Sequence, residues 1–145
     1  MSKDNNCIFC TKINCKVVSS NKYFFVIRDT SYPVTKHHTL IISNRHVSDY
    51  FDLNIDELDY LNKELKKQRE KLLELDNKIT GFNIGVNVGK DSGQSILHCH
   101  IHLIPRRKGD VKDPRGGVRG VIPSKQKYSK VWFYCMYNVT KRHYI

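Results

Sequence analysis

The sequence has no apolar run that approaches the ~20 residues of a membrane-spanning helix. Residues 1–6 lack the apolar segment of a signal peptide, so we expect a cytoplasmic protein. Internal repeats, low-complexity segments and linkers are also missing. The 145 residues are therefore expected to form a single domain that buries roughly two-thirds of its unfolded surface.

Acidic side chains are scarce compared with basic ones. The chain has 14 Asp and Glu against 25 Lys and Arg, which results in a formal net charge of +11. Such a charge favours anionic partners, namely nucleotides, nucleic acid or an acidic surface. Solubility alone explains many such charges, so the excess does not select a partner by itself.

The cysteines do not suit a disulfide framework, because they number five and the compartment is expected to be reducing. Cys7 and Cys10 form a C-x-x-C pair, a spacing that lets two thiolates bind one Zn²⁺ from a tight turn. Two more ligands would then be needed. The alternatives are two small buried apolar side chains and, with less support because no helix pattern follows at once, a redox pair.

The most informative segment is 97–104, in which histidines alternate with apolar residues. On a β-strand, His98, His100 and His102 would project from one face. The other face would then carry Leu97, Cys99, Ile101 and Leu103. Three titratable rings on one rigid face can act as nucleophile, proton donor and ligand. The pattern alone leaves catalysis and metal binding equally open.

Three more segments are predicted to be strands. Residues 22–29 are aromatic and β-branched and would bring Asp29 to the end of a strand, and 38–43 would pair with them. Residues 81–89 alternate apolar side chains with Gly and Asn, which leaves one small polar face for a ligand. A short turn then leads into the histidine segment, so the two strands should form a hairpin in which Asn87 shares the face of the histidines.

One long amphipathic helix is predicted to begin after Asn54. This residue is a good N-cap, and Glu57 follows three positions later, as in a capping box. The apolar stripe comprises Leu58, Leu61, Leu65, Leu72, Leu75 and Ile79. It is expected to pack on the sheet, although its near-heptad spacing leaves a helical dimer contact open. The predicted solvated face comprises Lys63, Glu64, Lys66, Lys67, Arg69, Glu70 and Lys71.

Two shorter features complete the predicted elements. A short helical stretch is expected at 47–51. After the histidine segment, Arg106, Arg107, Arg115 and Arg119 beside a polar face suggest phosphate handling, although a flexible basic loop needs no function. The segment after position 121 is too aromatic for a disordered tail and is expected to pack, on a surface that the sequence does not identify.

The segment 93–106 reads Gly-Gln-Ser, then His-x-His-x-His, then Pro-Arg, and it closely resembles the signature of the histidine-triad (HIT) nucleotide hydrolases. The similarity runs in order through 7–107. Residues 116–123 look like the corresponding loop of bacterial diadenosine-polyphosphate hydrolases. The resemblance thus implies a single HIT domain over 1–145, with 7–107 as its core and 108–145 as a basic loop and an aromatic extension.

The resemblance implies an α+β fold, in which a five-stranded antiparallel sheet carries one long helix and one or more short ones. Such domains are normally paired as homodimers. The implied activity is that of a nucleotidyl hydrolase or transferase, which cleaves at the α-phosphate of dinucleoside polyphosphates or nucleoside phosphoramidates, with adenine nucleotides favoured as substrates.

The resemblance also implies roles for individual residues. The catalytic triad would be His98, His100 and His102. His100 would attack the α-phosphate and become a covalent nucleotidyl-histidine, while His102 and His38 would contact the phosphate or the leaving group. The remaining nucleotide contacts would be Asn87, Gln94 and Ser95 on phosphate oxygens and Asp29 on ribose hydroxyls.

Family members with the C-x-x-C pair bind a structural Zn²⁺ through it, through the histidine of the Arg-His segment and through the first triad histidine. In this chain those ligands would be Cys7, Cys10, His46 and His98. The closed Cys₂His₂ set would tie the amino terminus to the catalytic strand. Unligated thiols are the alternative, and no metal is required for the chemical step.

Two other functions stay open at this point. The first is a related enzyme that removes an adenylate from nucleic-acid ends, for which the net positive charge would help to bind the nucleic acid. Against it, the cations are dispersed and no zinc-finger extension is present. A nucleotide sensor would bind the same ligands with little turnover, which the intact triad argues against.

Overall fold

The computed structural model describes residues 4–12, 15–28 and 32–127. Asp29 and the aromatic segment 128–145 lie outside the described residues. The predictions of a ribose contact and of a packed carboxyl-terminal extension therefore stay predictions. Within the described part of the chain, no helix is both long enough and apolar enough to cross a membrane.

Five strands form one sheet in the spatial order β1-β2-β3-β5-β4, and every neighbouring pair is antiparallel. The strands are β1 (Val17–Ser20), β2 (Phe24–Arg28), β3 (Thr39–Ser43), β4 (Ile79–Gly85) and β5 (His100–Arg107). The described residues form two α-helices, α1 (Ile8–Thr11) and α2 (Ile55–Leu75). The α+β fold with one long helix is thus confirmed.

The register of the sheet determines which side chains share a face with the histidines. His100 lies opposite Ile42 of β3, while His102 lies opposite both Leu40 of β3 and Gly85 of β4. Directly opposed residues of antiparallel strands project from the same face. The predicted hairpin is confirmed, and it places a glycine, which has no side chain, beside His102.

The two faces of the sheet are covered by different elements. On one face, Phe24, Ile41 and Ile101 pack with Leu61 of α2 in a buried cluster. On the other face, Phe25 and Ile42 pack with Cys7 and Phe9 from the amino-terminal segment. Because alternate residues of a strand face opposite ways, His100 and His102 lie on the α1 side.

The start of α2 agrees with the sequence and its end does not. The Asn54 side chain accepts from the Glu57 amide and Glu57 accepts from the Asn54 amide, so the capping box is confirmed. The predicted apolar stripe was wrong at Ile79, because the backbone becomes extended at Asp76 and Ile79 begins β4 instead. Three polar residues, Asp76 to Lys78, form the turn and direct the chain back to the sheet.

Glu64 was wrongly assigned to the solvated face of α2, since its side chain is 3% exposed. It accepts hydrogen bonds from Ser19, at 2.9 Å, and from Asn21, at 3.1 Å. Gln68 donates to Glu64 at 2.7 Å and accepts from Arg28 at 3.0 Å. A polar network therefore joins α2 to strands β1 and β2. The apolar periodicity of the helix did not predict polar side chains at this buried contact.

Two predicted segments are shorter than expected. The helical stretch expected at 47–51 is a single 3₁₀ turn, Tyr50–Asp52. The strand expected at 81–89 ends at Gly85, so Asn87 lies in the following segment rather than on the strand.

The chain divides into two compact units, 1–110 and 111–145. The sheet, α1, α2 and the candidate catalytic and metal-binding residues belong to the first unit. In the second unit the described residues form 3₁₀ turns at Gly117–Val121 and Pro123–Lys125. The single-domain expectation stays a prediction.

Candidate active site and metal site

The three histidines of the motif do not occupy equivalent positions. His100 is the first residue of β5, His102 is the third, and His98 precedes the strand. The ring of Phe9 meets His98 and His100 edge-on, with centroid distances of 5.8 Å and 5.4 Å. This apolar ring helps to exclude water, and the side chains of His98 and His100 are 0% and 6% exposed.

The local backbone determines the protonation of His100. Its Nδ1 lies 2.7 Å from the carbonyl oxygen of His98, two residues earlier. A carbonyl can only accept, so Nδ1 carries the proton and donates it. In the neutral ring, the lone pair is then on Nε2. This is the tautomer that an imidazole nucleophile needs.

His102 has the opposite tautomer, which is set by its contact with His38, the residue just before β3. The two rings stack with centroids 5.1 Å apart, and His38 Nε2 lies 3.0 Å from His102 Nδ1. The amide of Val34 donates to His38 Nδ1 at 3.4 Å. With Nδ1 accepting, neutral His38 carries its proton on Nε2 and donates it to His102 Nδ1. Neutral His102 then carries its own proton on Nε2.

His100 and His102 are therefore neighbours with complementary states. Their ring centroids are 5.2 Å apart. One ring presents a lone pair on Nε2 and the other a proton on Nε2. The pair can supply a nucleophile and a proton donor within one short stretch of strand.

The predicted phosphate ligands lie in the connection between β4 and β5. Gln94 is buried, accepts from the Gly89 amide at 2.8 Å and donates to the Ser48 carbonyl at 2.7 Å. Both ends of its amide thus hold the loop together. Asn87 is half-buried and Ser95 is exposed on the same connection. Their phosphate contacts stay predictions.

The four predicted metal ligands, by contrast, come together. The potential ligand atoms of Cys7, Cys10, His46 and His98 all lie within 4.8 Å of one another. His98 Nδ1 lies 3.4 Å from Cys7 Sγ, and His46 Nδ1 lies 3.2 Å from Cys10 Sγ. A tetrahedral Zn²⁺ with ordinary bond lengths spaces such atoms roughly 3.3–3.8 Å apart. The donor set is therefore positioned to bind a metal.

The orientation of His98 is part of this fit. Its Nε2 donates to the Ser43 carbonyl at 2.7 Å, which leaves the Nδ1 lone pair directed at the sulfur atoms. Burial lowers the pKa of His98, with further lowering from His46 and His100, and so favours the neutral ring that metals require. The carbonyl of β3 thus orients the ligand as an outer-shell partner.

The basic residues expected to handle phosphate are engaged within the chain. Arg106 donates to Asp110 and to Asn83, and Arg107 donates to Asp76. In the second unit, Arg115 pairs with Asp113 and Arg119 donates to the Lys125 carbonyl. These contacts give the arginines local structural partners.

One contact near the metal site was missed by sequence reasoning. Arg45, next to His46, donates to both carboxylate oxygens of Glu57, at 2.9 Å and 2.8 Å. The hydrogen bond from Arg45 holds the pKa of Glu57 below its usual range. Glu57 was expected only as a capping residue. No periodic pattern connects two residues that pair across a loop.

A family model described as the HIT domain matches residues 11–109 of the chain. The chain belongs to the HIT family. Among its relatives, an uncharacterised HIT-like protein of Methanocaldococcus jannaschii is 37% identical over 108 residues, covering 72% of this chain and 81% of that protein. An asymmetrical bis(5'-nucleosyl)-tetraphosphatase of Schizosaccharomyces pombe is 35% identical over 81 residues, covering 56% of this chain and 44% of that protein.

Solved HIT structures share the fold. A HIT family protein from Bacillus anthracis matches with a TM-score of 0.68 at 31% identity, covering 94% of this chain and 92% of that chain. A zinc-bound histidine triad family protein from Mycobacterium smegmatis matches with a TM-score of 0.66 at 28% identity, covering 74% and 80%. The predicted family is thus confirmed.

Proposed function

We propose that this HIT chain is a nucleotidyl hydrolase or transferase that cleaves small nucleotides at the α-phosphate through a covalent nucleotidyl-histidine on His100. The observation that carries the proposal is the 2.7 Å hydrogen bond between His100 Nδ1 and the His98 carbonyl. It leaves Nε2 as the nucleophilic atom of a buried ring. The similarity to a bis(5'-nucleosyl)-tetraphosphatase supports dinucleoside polyphosphates as the substrate class.

The reaction would proceed in two displacements. His100 Nε2 attacks the α-phosphorus, the new P–N bond forms, and the bond from phosphorus to the leaving group breaks. The leaving group takes up the proton on His102 Nε2, while the 3.0 Å hydrogen bond from His38 Nε2 to His102 Nδ1 keeps that ring oriented. Water then attacks the phosphorus and gives one proton back to His102 Nε2, the P–N bond breaks, and a nucleoside monophosphate is released.

Substrate binding would use the residues around this pair. Gly85 lies opposite His102 and adds no side chain to the surface beside it. Asn87, Gln94 and Ser95 are proposed to contact phosphate oxygens, with Asp29 on the ribose. Hydrogen-bond donors placed where phosphoryl charge develops stabilise the transition state. Adenine is proposed as the preferred base.

Zinc is the metal proposed for the Cys7, Cys10, His46 and His98 site. The two thiolates and two imidazoles form the closed set that structural Zn²⁺ sites use. When bound there, Zn²⁺ would join the amino-terminal segment to the start of β5. His98 then has two functions, because its side chain faces the metal site while its carbonyl orients His100.

The covalent step is tested by rapid quenching and intact-protein mass measurement. The substrates are diadenosine tetraphosphate and adenosine phosphoramidate. The wild-type chain should gain one adenylyl group, and His100→Asn should gain none and lose turnover by on the order of 10³-fold or more. His143→Asn, at a histidine without an assigned role, is the matched control and should behave as wild type. A wild-type chain without adduct, together with unchanged turnover in His100→Asn, would contradict the proposal.

The chain is also proposed to form a homodimer. β4 is an edge strand of the sheet, and its Ile84 side chain is 52% exposed. Light scattering at micromolar concentration should report twice the chain mass of 17.0 kDa. The variant Ile84→Lys should shift the population toward the monomer. A wild-type monomer under these conditions would refute pairing.

A further inference from the structure

A cavity of about 620 Å³ lies where three parts of the first unit meet. The loop before β3 contributes Thr35 and Lys36, the turn after α2 contributes Asp76 and Lys78, and the end of β5 contributes Arg107. None of these residues has a role in the proposed chemistry. The cavity is nevertheless bounded by the loop that leads into His38.

Arg107 connects the three parts. Its guanidinium donates to Asp76 Oδ2 from Nε and Nη2, at 3.1 Å and 2.8 Å. It also donates to Thr35 Oγ1 at 2.8 Å and to the Lys36 carbonyl at 3.1 Å. The Arg107 and Asp76 side chains are 17% and 10% exposed. A planar guanidinium with several simultaneous acceptors has one preferred position, so it can act as a rigid clamp.

The clamped loop determines the position of the His38 ring. The His38 amide donates to the Thr35 carbonyl at 3.0 Å, which closes a turn that contains Thr35 and Lys36, the two residues of the loop that Arg107 contacts. The Val34 amide donates to His38 Nδ1, as described above. Both hydrogen bonds come from the loop backbone. A shift of this backbone would therefore move the ring relative to His102.

The same loop holds a backbone conformation that needs support. His37 has φ of +68°, in the left-handed region that residues with a Cβ rarely adopt. Such conformations persist where surrounding contacts over-determine them, and they cluster at functional sites. The Arg107 contacts to the two residues before His37 are such a constraint. The hydrogen bond from Arg107 also keeps the pKa of Asp76 below its usual range, so the clamp keeps its charge partner at neutral pH.

We infer that Arg107 is a positioning residue for His38, which it holds against His102 by clamping the 34–38 loop. The inference rests on the proposed function, because only that reaction makes the hydrogen bond from His38 to His102 matter for turnover. Arg107 itself touches neither His38 nor His102 in its hydrogen bonds. It acts from the far end of the strand that begins with His100.

The first test measures the ring nitrogens directly, without substrate. In ¹⁵N-labelled protein at neutral pH, the imidazole shifts report which nitrogen of His38 carries the proton and whether it is hydrogen-bonded. Arg107→Gln should shift or broaden the His38 signals and leave those of His100 in place. Thr35→Val removes only one contact and should give a smaller change. Lys78→Gln removes a positive charge from the same cavity, is the matched control, and should change neither ring.

The second test is kinetic and uses diadenosine tetraphosphate. Arg107→Gln should lower kcat between about 10-fold and 100-fold with little change in KM. Arg107→Lys should recover part of the loss, since it keeps the charge without the forked geometry. When Arg107→Gln is added to His38→Gln, it should cause no further loss of kcat, because its effect passes through His38.

The outcomes separate the inference from the proposed function. Unchanged His38 signals in Arg107→Gln, or an equal loss of kcat with and without the His38 ring, would overturn the positioning role. A wild-type chain that forms no nucleotidyl-histidine counts against the proposed function instead, since the ring signals are measured without substrate.

Discussion

At the scale of single residues, the three histidines of the motif differ in which ring nitrogen carries the proton, because each has a different hydrogen-bond partner. His100 donates from Nδ1 to a backbone carbonyl, whereas His102 meets His38 at its own Nδ1. His98 donates from Nε2 and turns Nδ1 toward sulfur. His100 and His102 thus both present Nε2, the first with a lone pair and the second with a proton, whereas His98 presents Nδ1. Among the cysteines, burial raises the pKa of the Cys99 thiol to about 12 and so keeps this thiol protonated at neutral pH.

Glu57→Gln should test the ion pair beside His46, in which Glu57 is buried and the Arg45 side chain is 36% exposed. Arg45 lowers the pKa of Glu57 in the folded state, so the carboxylate stabilises the fold above its unfolded pKa, and this contribution is lost as the pH falls through the folded pKa. The variant should lose about 1–3 kcal/mol of unfolding free energy at pH 7. Urea denaturation should show the difference from wild type narrowing as the pH is lowered below the usual glutamate pKa of about 4.3.

Asp59→Asn provides the control for this measurement. Asp59 also pairs with a cation, Lys63, but both side chains are more than half exposed. Exposed pairs contribute less than about 1 kcal/mol, so this variant should be nearly neutral at both pH values. A Glu57→Gln difference that stays constant as the pH falls would show that the Arg45 pair is not its source.

At the scale of elements, α2 packs on the sheet through a face that is partly polar. Leu61 and Leu72 are buried as the apolar periodicity predicts, but Glu57, Glu64 and Gln68 are buried beside them. Each of these polar side chains has partners on other elements. The helix is therefore fixed in its rotation and its position along the sheet by hydrogen bonds as well as by apolar contact.

Gln68→Leu should destabilise the chain although it adds apolar surface to a buried position. Gln68 is 0% exposed and bridges Arg28 to Glu64. Leucine would leave both charged groups short of one hydrogen bond, at a cost of about 1–3 kcal/mol. The melting temperature should fall. Arg69→Leu, one position further on the exposed face, should stay within about 0.5 kcal/mol of wild type. A neutral or stabilising Gln68→Leu would refute the role of the network.

At the scale of the whole molecule, the metal site joins segments that are far apart in the chain. Cys7 and His98 are 91 positions apart, and His46 comes from the segment after β3. A metal bound by these four ligands would join three segments of the chain and so close long loops. A ligand that binds only the folded state stabilises it by mass action.

Removal of the metal should therefore lower the stability of the fold. At a hundredfold excess of Zn²⁺ over its Kd, the loss on chelation should be about 2.7 kcal/mol. Elemental analysis should find one zinc per chain, and Cys10→Ser should lose both the zinc and the response of the melting temperature to chelator. Cys15→Ser is the matched control, because Cys15 lies outside the four-ligand set. Retention of stoichiometric zinc by Cys10→Ser would contradict the ligand assignment.

Much of the fold was predictable because local patterns determine it. The capping box at Asn54 and the alternating segment before Gly85 depend on neighbouring residues alone. The errors occurred where a distant partner changed the outcome. Glu64 was placed on the solvated face because periodicity cannot show that Ser19 and Asn21 donate to it.

The candidate site likewise has a part that local sequence patterns predict and a part that depends on distant residues. The sequence by itself determined which chemistry is available, because the alternating histidines and the C-x-x-C pair are short-range patterns of donor types. Only the tertiary structure decided how each ring is used, since tautomers depend on acceptors such as the Ser43 carbonyl, 55 positions from His98. The clamp of Arg107 on a loop 71 and 72 positions away is likewise absent from any local pattern. Hydrogen bonds between distant segments exist only once the sheet has brought them together.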